Sequence, residues 1–117
     1  MYYSFNFQEV AEIFAQVAKV EKAHEAHKEA REAYDNNADD PNIYFVVDLM
    51  KQEEKARKNW VKAAKKALEL MGMQARDSYE KAVYFDRLNR SYEENFLTGA
   101  IRRAAFDCAD KAREAYR

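Results

Sequence analysis

Glu21 and His24 stand three residues apart, with His27 one turn further on. A Glu-x-x-His spacing sets a carboxylate and an imidazole on one face of a helix, as carboxylate-rich bundles do when they present metal ligands. A dinuclear centre needs a second such motif and two further glutamates, and the chain has only the histidines His24 and His27. Glu53, Glu54, Glu93 and Glu94 offer carboxylates, but no ligand spacing ties them to the histidines, so the pair reads as partly exposed histidines beside glutamates. Neither a metal nor a cofactor is expected. Cys108, the single cysteine, lies on the stripe Ile101, Ala104, Cys108, Ala112, where a free thiol serves as a small buried hydrophobe. A nucleophile would need an assigned base, and no motif supplies one. With no glycine-rich phosphate loop either, no catalytic residue is expected and the chain reads as not an enzyme.

Basic side chains form the most regular charge pattern. Lys51, Lys55, Lys58, Lys62, then Lys65 with Lys66, recur at helical spacing, and residues 51–66 hold seven basic against two acidic side chains. Such a stripe can follow a phosphate backbone. An alternative function is therefore nucleic-acid binding through Lys58, Lys62, Arg102 and Arg103. Against it, the stripe is poor in arginine and in interleaved aromatics, and the pairing described below sets Glu25 opposite Lys51, Glu21 opposite Lys55, and Glu9 with Glu12 near Lys65 and Lys66. Only Lys58 and Lys62 are left without a carboxylate opposite.

The elements that must carry these residues are helices. Two glycines and one proline in 117 residues leave few interruptions, and apolar positions recur at three and four. The expected fold is all-α: a long antiparallel hairpin of helices at about 7–35 and 41–71, covered by a third helical segment at about 77–116. The whole chain, 1–117, forms a single helical domain of three or four helices. Asn6 and Glu9 make a capping signature for the first helix. Asn36 and Asn37 should stop it, Asp40 with Pro41 should start the second, and Gly72 should end that one. Asp77 to Glu80 reads as the next cap. Ser91 to Glu94 is a further cap, and with Gly99 nearby it predicts a break or kink within residues 89–99.

Folding the hairpin back at Ala38 pairs residues whose numbers sum to about 76, given ~1.5 Å of rise per residue in both helices. Val17 then meets Trp60, Val20 meets Ala56, Val10 meets Ala67 and Phe7 meets Leu70, with Tyr44, Val47 and Met50 also on the seam. Where Ala23 faces Glu53 the seam narrows to a waist that the third segment, or a second copy, must cover. Ile43 to Val47 are five apolar residues in a row, a width that calls for more than one neighbour.

Charge is balanced, 20 basic against 21 acidic side chains, which excludes a bulk polyanion binder and an acidic mimic alike. The lone cysteine and the absence of a leader-like apolar run point to a reducing, cytoplasmic location, and no run suits a membrane span. Sixteen aromatics are more than one alanine-rich seam readily buries. The leading expectation is a small non-enzymatic helical protein that binds a partner macromolecule, another protein or itself, through an aromatic or helical surface, as a subunit, adaptor or inhibitor. Tyr2, Tyr3, Phe5, Leu70 and Met71 are the expected contact residues. A small-molecule site at the waist, with His24, His27, Glu53 and Glu54 as its polar groups, is a further alternative.

Overall fold

The computed structural model describes residues 6–74 and 94–115. Three helices make up the described chain: α1 (Phe7–Asn37), α2 (Ile43–Gln74) and α3 (Glu94–Ala115). At α1 the expected capping box is present. Asn6 Oδ1 accepts from the Glu9 backbone N–H at 2.8 Å, and Glu9 Oε1 accepts from the Asn6 N–H at 3.1 Å, which satisfies two of the donors a helix start leaves open.

The turn differs from its expected form at both ends. Asn37 does not stop α1: its side-chain amide donates to the Ala33 carbonyl at 2.7 Å, so the helix runs on through Asn37. Asp40 is not the cap of α2. Its carboxylate accepts from the Asn42 N–H at 2.8 Å, and Asn42 in turn accepts from the Phe45 N–H at 3.3 Å, so α2 opens at Ile43. Two residues gained by α1 and two lost by α2 slide the hairpin by one helical turn. Accordingly Gln16 donates to the Ala63 carbonyl at 3.1 Å and His27 bonds Glu53 at 2.8 Å, pairs whose numbers sum to about 80 rather than about 76.

The seam also takes a different line along α2. It follows Val46, Leu49, Glu53, Ala56, Trp60, Ala63, Ala67 and Leu70, an unbroken alternation of three and four, all buried or half-buried. Tyr44, Val47 and Met50, expected on the seam, lie outside it and are exposed, Tyr44 by 86%. Phe7, expected against Leu70, is also more than half exposed.

Gly72 does not end α2, which continues to Gln74; no glycine among the described residues has positive φ. α3 begins at Glu94, inside the window expected for a break, and passes through Gly99 without interruption. The caps expected at Asp77 to Glu80 and at Ser91 to Glu93 lie outside the described residues, as do Tyr2, Tyr3, Phe5, Phe85 and Tyr92.

Thr98 meets His24, Arg102 meets Glu21 and Phe106 meets Phe14, so α3 runs antiparallel to α1 and parallel to α2. Its 22 residues span ~33 Å against ~47 Å for each hairpin arm, and it covers only the half that contains the chain's start. The core sits in that half. Ile13, Val17 and Val20 of α1 pack with Trp60, Ala64, Ala67, Leu68 and Met71 of α2 and with Ile101, Ala104, Ala105, Cys108 and Ala112 of α3. Alanines let the helix axes approach closely, while Trp60, Leu68 and Met71 fill the space between them. The outcome is a rod of 63 × 21 × 16 Å.

Candidate functional site: two clefts and an uncovered hairpin tip

A polar cluster closes the covered half where α3 begins. Trp60, 1% exposed, lies parallel to both imidazoles, its ring centre 4.2 Å from that of His24 and 5.3 Å from that of His27. Its Nε1–H donates to Thr98 Oγ1 at 3.0 Å, and Thr98 Oγ1 stands 2.8 Å from His24 Nδ1. An indole nitrogen only donates, so Thr98 Oγ1 accepts from it; toward His24 Nδ1 the hydroxyl donates when that nitrogen is bare and accepts with its second lone pair when it carries the hydrogen. Burial, and then the charges of Lys28 and His27, hold the His24 imidazole below its ordinary range, with Glu25 opposing. One turn along, His27 Nε2–H donates to the Glu53 carboxylate, with Arg31 at 4.0 Å on the far side. This layer fills the expected waist. A cleft of about 490 Å³ opens beside it, lined by His24, His27, Lys28, Arg31, Glu32, Asp35, Asn36 and Trp60.

Glu21 does not join His24 in a ligand pair; it binds Arg102 at 3.4 Å on the surface. Among the described residues no group of three or more His, Cys, Asp or Glu is placed to hold a metal ion. Cys108 is buried on the apolar stripe of α3, as its spacing suggests.

Among the described residues, no third helix packs on the hairpin beyond the start of α3. Leu49 is the one large apolar side chain of this half that is buried, whereas Ile43, Tyr44, Phe45, Val47 and Met50 are exposed. The tip as a whole is acidic, since residues 28–54 hold eight carboxylates against three basic side chains. Of the contact residues expected at the opposite end, Met71 is wholly buried in the core and Leu70 is half-buried against it, so neither offers a free surface. Sequence reasoning missed the tip because the seam was drawn through Tyr44, Val47 and Met50. The usable signal was the run of five apolar residues, too wide for one seam.

The lysines of α2 are not neutralised across the hairpin. Glu21 is taken by Arg102 and Glu9 by the helix cap. Lys58 pairs instead with Glu54 on its own helix at 3.1 Å, and among the described residues Lys51, Lys55, Lys62, Lys65 and Lys66 reach no carboxylate within 4 Å. A second, larger cleft of about 720 Å³ runs along this side, lined by Arg57, Lys58, Val61, Lys62, Lys65, Lys66 and Glu69. Arg102 sits on the α1 side, tied to Glu21, and so belongs to a different surface from Lys58 and Lys62. Arg103, its neighbour, is exposed.

No family model, no curated protein and no solved structure matches the chain. Among the described residues no helix is long and apolar enough to cross a membrane.

Proposed function

We propose that this chain is a non-enzymatic helical docking protein whose working surface is the uncovered tip of its hairpin, and that the tip takes a basic, amphipathic helical segment of a partner protein. The observation that carries this reading is the exposure of Ile43, Tyr44, Phe45, Val47 and Met50 on a half of the hairpin that α3 leaves bare. Fully burying one such side chain is worth about 1.5–3 kcal/mol, so a patch of five is a substantial driving force left unused by the fold. The net negative charge of the tip selects the partner's charge, since matched potentials speed encounter and disfavour wrong partners. An amphipathic helix, with anchors at spacings of three and four, is the mode of recognition that fits an apolar stripe on one exposed helix.

The test uses two labelled model peptides with the same leucine stripe at helical spacing, one with lysines and one with glutamates on the other face. Fluorescence anisotropy should show binding of the lysine peptide to the wild-type chain and loss of that binding in Tyr44→Ser/Val47→Ser/Met50→Ser. Equal binding of the glutamate peptide, or an unaffected triple variant, would sink the reading.

A further inference from the structure

Three residues of the apolar tip, Ile43, Val47 and Met50, lie on the same flank of α2 as the basic cleft. Ile43, Val47, Met50, Glu54, Arg57 with Lys58, Val61 and Lys65 recur at three and four residues, a continuous line down the outer side of the helix, away from the hairpin seam. One half of the line is apolar with an acidic surround; the other is basic, with the half-buried Val61 at the floor of the cleft. Each half is what the other lacks.

We propose that the partner of the tip is the basic cleft of a second copy, and that two chains form an antiparallel twofold dimer along α2. The inference rests on the docking reading above and names its occupant. Antiparallel pairing about an axis near Glu54 sets opposite one another residues whose numbers sum to about 108, given equal rise in both helices. Val47 then meets the second copy's Val61, Ile43 meets its Lys65, and Met50 meets its Lys58. The aliphatic stems of the lysines cover apolar surface while their ammonium groups reach carboxylates of the acidic tip, a role suited to this side chain. Because both halves lie on one flank, each chain gives a tip and receives one at the same time. The interface is therefore self-complementary and closed, and assembly stops at two. Pairing tip to tip would instead bring together two surfaces that are each five charges negative between residues 28 and 54. The unpaired state of Lys62, Lys65 and Lys66 among the described residues leaves them available for carboxylates of the second copy.

The experiment is a mixing test read by light scattering coupled to size-exclusion chromatography. One variant, Ile43→Lys/Val47→Lys, places lysines against the second copy's Lys65 and Val61; another, Lys62→Glu/Lys65→Glu/Lys66→Glu, reverses the cleft. All five positions are exposed, so helicity should hold in both. Wild type should run at twice the chain mass, each variant alone at the chain mass, and an equimolar mixture of the two at twice the chain mass again, because new lysines then face new glutamates. A mixture that stays monomeric overturns the proposal, as does a wild type that grows without limit. A wild type that stays monomeric while its tip binds the lysine peptide overturns the dimer and leaves the docking reading intact. If neither association occurs, both fail together. A monomeric wild type that binds single-stranded oligonucleotide through Lys62, Lys65 and Lys66 overturns the dimer too, and assigns the cleft to a phosphate backbone.

Discussion

Replacing the polar layer of the hairpin by leucine, one side at a time and then both, tests whether that layer sets register or merely fills space. The His27–Glu53 bond is 2.8 Å long between side chains 9% and 18% exposed. His27→Leu leaves the Glu53 carboxylate with Arg31 at 4.0 Å in place of a direct donor. A hydrogen bond to a charged group contributes about 1.5–3 kcal/mol, and partial access of water and Arg31 to Glu53 places the loss near ~2 kcal/mol. For a chain of this size that lowers the melting midpoint by roughly 8 °C. Glu53→Leu strands the His27 N–H instead and should cost about 1–2 kcal/mol. The double variant sets leucine against leucine between Leu49 and Trp60, and buried pairs exchanged for packed apolar residues come out near neutral or more stable. Urea and thermal unfolding followed by circular dichroism should therefore show a double variant within ~1 kcal/mol of wild type, a coupling of about 3 kcal/mol between the two sites. Single losses under ~0.5 kcal/mol, or a double variant as unstable as the sum of the singles, would refute the reasoning.

Three further outcomes follow from the same cluster. Trp60→Ala should cost about 3–5 kcal/mol by opening a cavity among three helices, and native Trp60 emission should resist aqueous iodide; free-tryptophan quenching would contradict its burial. Thr98→Val keeps shape while stranding Trp60 Nε1 and His24 Nδ1, so unfolding should show a loss of about 1–3 kcal/mol, and an unchanged midpoint would mean that water replaces the hydroxyl. Because the folded protein holds His24 below its ordinary pKa, the folded state binds fewer protons than the unfolded one; stability is full above the unfolded value and falls as pH drops through it toward the lowered one. Melting midpoints should decline from pH 7.5 to pH 5, and that decline should flatten in His24→Gln; equal slopes would clear His24 of the effect.

What the sequence made legible was local. Asn6 and Glu9 are three residues apart and cap each other, so their types alone suffice. Helix class followed from the scarcity of glycine and proline. The turn was misjudged because Asn37 and Asp40 each had two partners available: Asn37 chose the carbonyl of Ala33 behind it, and Asp40 the N–H of Asn42 ahead of it. Propensity does not decide between such rivals, and the two choices together moved the register by a full turn. The line of the seam failed at Glu53. A glutamate in the buried row is acceptable only because His27 bonds it from the other helix, a fact that depends on the register being sought. Likewise the lysines were assigned carboxylates across a seam from which Glu21 and Glu9 had already been claimed by Arg102 and by the cap.

The placement of the polar layer connects stability to binding. Below it α3 supplies an apolar cover, and the register is held by packing among Val20, Trp60 and Ala104 as well as by bonds. Above it two helices face each other with little more than Leu49 buried between them, an arrangement that gains too little from packing to choose its own alignment. A directional bond between His27 and Glu53 at the boundary sets the alignment for the bare half, in the way that one buried polar contact fixes register in a coiled coil at some cost in stability. The tip can then keep Ile43, Tyr44, Val47 and Met50 outside the seam. On this argument the leucine double variant should be as stable as wild type yet weaker in tip-dependent association. Binding that survives undiminished would separate the polar layer from the function.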